Sequence, residues 1–361
     1  MKADPVLKLF IFLLVAAGFF ILTSASIGLA AKRDLPFYHY VLRQLVFGGI
    51  TGVIALIAAY KIPYKSWRRF ALPIFIFAIL LGALVLIPSI GFEHNGARRW
   101  IVLGPINFQP SEFLKFGLLV YLSTLFAARK QEIGTIEKGV LPLLLVLAIA
   151  GILVIAEPDV GTFGIMFLSS LLLFIVAGGR LKHVVAIILL GILLLGTLIA
   201  LKPYRFERFR AFLDRDYDTQ KSGYQINQAR IAIGSGGLFG RGFGLSRQKF
   251  EYLPEATGDS IFAVAAEEFG FVGSVILISL FLLFAWRGFY ISSQSPDAFG
   301  KIFGSGIVIL ILTQSFLNIA AMSGLLPLTG VPLVFVSQGG SSLAVTLLEA
   351  GILLNISRTR A

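Results

Sequence analysis

Apolar runs long enough to cross a bilayer dominate this chain, about ten of them, near residues 6–30, 40–60, 69–90, 110–128, 139–156, 160–178, 182–201, 260–286, 301–324 and 340–357. A bilayer core about 30 Å thick is crossed by about 20 helical residues, so each run reads as one span. Lipid admits only helices or closed barrels, because an unpaired backbone N–H or C=O finds no water there. Of 361 residues 57% are hydrophobic and 14% charged, which leaves almost nothing for a soluble domain. The expected fold is an all-α integral membrane protein of about ten transmembrane helices. It forms a single polytopic domain over 1–361, with one long extracytoplasmic loop, about 202–259, between the seventh and eighth helices. The first run ends in Ala25, Ser26, Gly28 and Ala30, small residues of the kind found at signal-peptide cleavage sites, but its length favours a retained span.

A net charge of +12 raises the question of nucleic acid, and the placement of the cations argues against it. With a cytoplasmic N-terminus, Lys2, Lys8, Lys61, Lys65, Arg68, Arg69, Arg129, Lys130, Lys138, Arg180, Lys182, Arg287, Lys301, Arg358 and Arg360 all fall on the cytoplasmic side. The opposite short loops carry only Lys32, Arg33, Arg98 and Arg99. This is the positive-inside bias, and it predicts that both termini are cytoplasmic. The chain has no Cys, so disulfides are excluded.

The long loop is exempt from that bias and holds ten Lys or Arg residues, from Lys202 to Lys249, among acids and aromatics. Two readings stay open, a solvated face beside lipid headgroups and a basic cleft for a phosphate-bearing substrate. Within it, "AIGSGGLFGRGFG" (232–244) lacks both the preceding strand and the Gly-Lys-Ser/Thr ending of nucleotide-binding loops. Its glycines are expected to let irregular backbone pack closely against helix ends or substrate.

Charge at membrane depth is costly, so the polar constellations near the spans are the candidates for function. In "NGARRWIVLGPINFQPSEFLKF" (95–116), Arg98, Arg99 and Trp100 suit an interfacial anchor, Pro110 suits a first helical turn, and Glu112 and Lys115 share a helix face. In "AEPDVGT" (156–162), Glu157 and Asp159 sit at a hinge, with Asp159 expected to cap the next helix. "LPLTGVPLVFVSQGGSSL" (326–343) breaks an apolar region with prolines and glycines, which is tolerated only where the backbone is buried in protein or lines a watery cavity. "YLPEATGDSIFAVAAEE" (252–268) brings Glu255, Asp259, Glu267 and Glu268 to the start of a span.

The stretches "NGARRWI", "QPSEFLK", "GYQINQARIAIGSGGLFGRGFGLSRQKFEYLPEATGDSIFAVAAEEFG", "LPLTGVPLVFVSQGGSSL" and "LLNISR" resemble the SEDS family of bacterial envelope polymerases over most of the chain. "GLSRQKFEYLPEA" is more similar to the cell-division member than to the rod-shape member. The resemblance implies a ten-helix glycosyltransferase of the bacterial cytoplasmic membrane that polymerises lipid II, the undecaprenyl-diphosphate-linked disaccharide peptide, into peptidoglycan strands on the extracytoplasmic side. It also implies a class B penicillin-binding protein transpeptidase as partner, among other division-machinery membrane proteins and membrane lipid. Members of the family read His-Thr-Asp-Phe where this chain has Thr257, Gly258, Asp259 and Ser260, and Tyr-Gly-Gly where it has Gln338, Gly339 and Gly340. The aspartate is retained; the imidazole before it is absent.

Such chemistry needs a sugar hydroxyl to attack an anomeric carbon as the diphosphate leaves, and Asp259 is the candidate base that takes the proton, with helix capping as its alternative role. Inversion by single displacement requires no enzyme nucleophile. The candidate substrate contacts are Arg98, Arg99, Gln109, Glu112, Lys115, Lys249, Glu251 and Ser341, with Arg99, Lys115 and the loop arginines as diphosphate clamps. No cofactor is indicated, although Glu251 is a candidate for holding either the acceptor or a divalent cation. On an ideal helix Glu267 lies about 80° from Asp259 and Glu268 about 180°, so Glu267 alone is expected near the same cavity and Glu268 beside a polar group of another helix. The competing classes are a lipid II flippase, which ten spans and broken helices would also suit, the elongation paralogue with the same chemistry, and a non-catalytic scaffold.

Overall fold

Several spans begin where the sequence offers a partner to the first unpaired N–H groups of a helix. The computed structural model describes residues 2–36, 38–94, 97–104, 106–200 and 222–359. Asp4 caps α1 (Pro5–Lys32), accepting from the Leu7 N–H, with Pro5 at the first position. α2 (His39–Lys61) contains a π-helical stretch at Leu45–Ile50. α3 (Ala71–Val85) follows a short helix, Tyr64–Arg69. α4 (Pro110–Ala128) starts on Pro110. After α5 (Ile136–Ala156), Asp159 caps α6 (Val160–Val176) by accepting from the Thr162 N–H at 3.1 Å, the role expected of it. α7 (Leu181–Ala200) leads to the long loop, where α8 (Ser222–Ser235) forms. α9 (Ile261–Ser293), α10 (Ala298–Met322), capped by Asp297, and α11 (Gly340–Ile356) complete the bundle.

Among the described residues, seven helices are long and apolar enough to cross a membrane and three more are shorter apolar helices, which matches the expected ten. The polarity is inverted relative to a soluble fold. Phe12, Ile152, Leu193 and Trp286 are exposed, whereas Glu112, Lys115, Glu267, Glu268, Gln314, Asn318 and Glu349 are buried and partnered inside the bundle or line its interior. α10 and α11 lie mostly buried, and Gly52 of α2 and Gly351 of α11 let those two helices touch backbone to side chain and backbone.

The ends of the chain meet. The Asp4 N–H donates to Ser357 Oγ at 3.0 Å and the Asp4 carboxylate pairs with Arg287. Nearby, Tyr64 OH donates to Asp297, and the Asn355 side chain bridges the Tyr64 N–H and the Tyr60 carbonyl. At the opposite, distal end a three-stranded antiparallel sheet closes the gap between α3 and α4: β1 (Gly91–His94), β2 (Ala97–Leu103) and β3 (Ile106–Phe108) in the order β1-β2-β3, with Glu93 opposite Arg98 and Ile101 opposite Phe108. No strand is expected from the sequence here. The longest strand, β2, has seven residues, too short an alternation to stand out beside apolar spans.

The glycine-rich stretch and α9 explain each other. α9 is broken at Gly270, whose φ of 67° is open to glycine, and the freed backbone groups pair with the loop. The Arg241 and Gly242 N–H groups donate to the Glu267 and Glu268 carbonyls, both at 3.0 Å. In return the Phe271 and Val272 N–H groups donate to the Gly237 and Leu238 carbonyls at 2.9 and 3.1 Å. A Cβ at Gly236 or Gly240 would collide with the carbonyls of Ala266 and Glu268. The glycines therefore serve close packing against a helix end, one of the two roles expected of them.

Candidate active site

Asp259 stands at the distal end, one residue before the turn that opens α9. The N-cap position is Ser260, whose own side chain makes no capping bond. Instead the backbone around it is pinned from the opposite wall. Three successive carbonyls accept one hydrogen bond each: Thr257 from the Gln338 N–H at 2.8 Å, Gly258 from Ser337 Oγ at 2.7 Å, and Asp259 from Asn318 Nδ2 at 2.7 Å. Asn318 also donates to the Val331 carbonyl, so one α10 amide ties the aspartate to the broken segment 323–339. The half-exposed carboxylate meets the long loop through Gln225 of α8, whose Nε2 lies 3.1 Å from Oδ1.

The same broken segment gathers other predicted contacts. Ser341, in the first turn of α11, accepts from the Gln109 N–H at 3.2 Å, which joins the starts of α4 and α11. Gln44 of α2 accepts from the Gly339 N–H at 2.9 Å. Gln338, where the family has Tyr, holds Thr257 through its backbone N–H, a bond indifferent to side-chain identity. α4, α6, α9 and α11 all start at this end, and their N-terminal partial positive charge favours anions there.

Arg98 and Arg99 lie on β2. Arg98 pairs with Glu93 at 3.0 Å in an exposed bridge, whereas Arg99 donates to the carbonyls of Glu157 and Pro158 at the α5–α6 hinge. Glu157 beneath it is buried, and neither carboxylate oxygen has a hydrogen-bond partner. Burial, and next the Asp159 charge, push its carboxyl up to about 8 against the pull of Arg99.

A family model described as a cell cycle protein, FTSW_RODA_SPOVE, matches residues 5–361. The chain belongs to this FtsW/RodA/SpoVE family. It is 38% identical over 355 residues to stage V sporulation protein E of Bacillus subtilis, covering 98% of this chain and 97% of that one. It is 36% identical over 354 residues to a probable peptidoglycan glycosyltransferase FtsW of Trichlorobacter lovleyi, covering 98% and 93%. Among solved structures, one described as structural coordination of polymerization and crosslinking by a peptidoglycan synthase complex contains a chain that superposes with a TM-score of 0.82 at 28% identity, covering 99% and 98%. Rod shape determining protein RodA of Thermus thermophilus superposes with a TM-score of 0.73 at 29% identity, covering 100% and 98%.

Not every cation of this FtsW/RodA/SpoVE-family chain is free to meet a substrate. Lys115 pairs with Glu112 at 2.9 Å as expected, but both are buried, Gln314 accepts from the same ammonium, and Glu349 lines the same enclosed space. Lys249 is buried too, held by Glu268 at 2.6 Å and by Ser24 of α1 at 2.8 Å. Both lysines neutralise carboxylates of their own chain, a structural role in place of the clamp expected of Lys115 and the substrate contact expected of Lys249. Ser24 is the polar group of another helix expected beside Glu268. Glu267 is partnered away from the described neighbours of Asp259: it accepts from Ser246 Oγ and from the Arg247 N–H, on the segment that follows the glycine-rich stretch. The Glu251 side chain and the loop cations from Lys202 to Lys221 lie outside the described residues. Among the described residues no cluster of three or more His, Cys, Asp or Glu is arranged to hold a metal ion. Gln225, Asn318 and Gln314 escape the sequence reading. Their one signal is a polar amide beside or within an apolar run.

Proposed function

We propose that this multi-pass membrane protein is a peptidoglycan glycosyltransferase that polymerises lipid II into glycan strands during cell division, with Asp259 as general base. The observation that carries the reading is the clamp on the Thr257, Gly258 and Asp259 carbonyls, which fixes a half-exposed carboxylate on a wall of irregular backbone where helix N-termini converge. The names of the relatives support the reaction. The acceptor hydroxyl attacks the anomeric carbon of the donor, its proton passes to Asp259, and the anomeric C–O bond breaks with both electrons leaving on the lipid diphosphate. Inversion follows from the single displacement. Arg99, at the edge of the site, receives the diphosphate, and Ser341 and Gln109 line the approach. The charge asymmetry supports a cytoplasmic membrane location with both termini inside and the site outside, and the peptidoglycan synthase complex supports a class B penicillin-binding protein as partner.

Asp259→Asn tests the base directly. Asn keeps the size and still accepts a hydrogen bond, but it cannot take a proton. The purified variant with its partner should retain wild-type thermal stability and make no detectable glycan from labelled lipid II in detergent, where a flippase has no measurable act. General-base assistance contributes about 10²- to 10⁴-fold. Long glycan strands made at near-normal rate by the Asn variant would remove Asp259 from the mechanism.

A further inference from the structure

Among the described residues Gln225 reaches the carboxylate of Asp259 from another element, and its surroundings explain why it can aim it. α8 is seated by Ile226, Ala229 and Ala232, all buried, and by Arg230, whose Nη2 donates to the Gly324 carbonyl at 3.0 Å. From this seat Gln225 Nε2 reaches two acceptors at once, Asp259 Oδ1 at 3.1 Å and Ser260 Oγ at 3.0 Å. An ionised carboxylate only accepts, so the amide nitrogen must face it, and the amide has two N–H groups for the two acceptors. Ser260 occupies the N-cap position of α9 yet makes no capping bond; its hydroxyl oxygen anchors the amide instead. The backbone of Asp259 is fixed by Asn318, but the last torsion of an Asp side chain is broad, so a bond to the carboxylate itself restrains what the backbone bond leaves free.

We propose that Gln225 is a positioning residue for glycan polymerisation: anchored by Ser260, its amide orients the Asp259 carboxylate and favours its ionised form. This rests on the reading of Asp259 as general base. Among the described residues, the charged side chains on the same turn, α8 and the first turns of α9 are Glu255, Arg230, held at Gly324, and Glu267 and Glu268, held by Ser246, the Arg247 N–H and Lys249. Asn318, Ser337 and Gln338 on the opposite wall are neutral. Removing the amide takes one donor away from the carboxylate.

The test uses the full-length protein with its partner transpeptidase, labelled lipid II and a rate measured across pH. Gln225→Met keeps the length and removes the donor. It should lower kcat by about tenfold, since hydrogen bonds to charged groups are among the stronger ones. It should also move the acid limb of the kcat profile to higher pH and leave the half-saturating lipid II concentration near wild type. Ser260→Ala should show a smaller change in the same direction, and the double variant should match Gln225→Met, because Ser260 acts through the amide. A wild-type acid limb in Gln225→Met, or a loss confined to half-saturation, overturns the proposal. If Gln225→Met does not fold, Ser260→Ala decides alone: an unmoved acid limb overturns it. An active Asp259→Asn protein sinks the base assignment itself, whereas an inactive Asp259→Asn beside a silent Gln225→Met sinks only this inference.

Discussion

A buried carboxyl with no hydrogen-bond partner, Glu157, sits under the guanidinium that edges the candidate site. Its folded-state value of about 8 lies above the ordinary carboxyl range, so the folded protein holds a proton that the unfolded chain releases. The stability tied to that proton is complete below the unfolded value of about 4.3 and is lost progressively as pH rises toward about 8. Thermal stability of the wild type should therefore fall between about pH 5 and pH 8 by more than that of Glu157→Gln, whose amide carries no proton to lose. Parallel curves for the two proteins would show that Glu157 ionises at no cost. Arg99 beside it should act on substrate rather than on folding. Arg99→Ala is expected to raise the half-saturating lipid II concentration by about tenfold, the loss of one charged contact, while Arg98→Ala should do little, because its exposed pair with Glu93 is of the kind worth about 0–1 kcal/mol. Steady-state kinetics on both variants would expose an error if Arg98 proved the more sensitive.

At the level of elements, the region around the break in α9 holds its buried charges in a chain of partners running from α1 to the glycine loop. Ser24, Glu268 and Lys249 close one knot, and Glu267, Ser246 and the Arg247 N–H close another. Deleting one member of a buried pair leaves the other uncompensated, at a cost of about 3–5 kcal/mol, whereas replacing both with neutral groups can be nearly free. Lys249→Met should therefore unfold at a markedly lower temperature than wild type, and Lys249→Met with Glu268→Gln should recover most of that loss together with polymerisation. A double variant that is stable yet inactive would return Lys249 to the substrate. The prediction separates a cation that holds the fold from one that holds a phosphate.

For the whole molecule, the meeting of Asp4, Arg287 and Ser357 puts the two ends of the chain on one face, with Tyr64, Lys65 and Asp297, and Asp259 belongs to the opposite end. The cation count of the short loops is the basis of the proposed orientation of that bundle in the membrane. In this Cys-free protein, cysteines introduced as Lys65→Cys and Lys221→Cys should react from opposite sides, position 221 with an impermeant reagent applied from outside and position 65 only after permeabilisation. Equal labelling of both from outside would break the ten-span arrangement.

The sequence by itself determined the spans, because hydropathy is a local property and a bilayer demands the same length of every helix that crosses it. It marked Asp259 and Asp159, which sit in short contiguous motifs, and the Glu112–Lys115 pair, whose spacing of three is set by helix geometry. Only the tertiary structure decided the partners of the other polar groups. Ser24 and Glu268 are 244 residues apart, Asn318 and Asp259 59, Gln225 and Asp259 34, and no periodicity in one segment encodes a contact with another. The same holds for Lys249 and Lys115: as sequence they are cations near a phosphate-binding face, and folding surrounds them with carboxylates and apolar walls, where an unpaired charge could not persist.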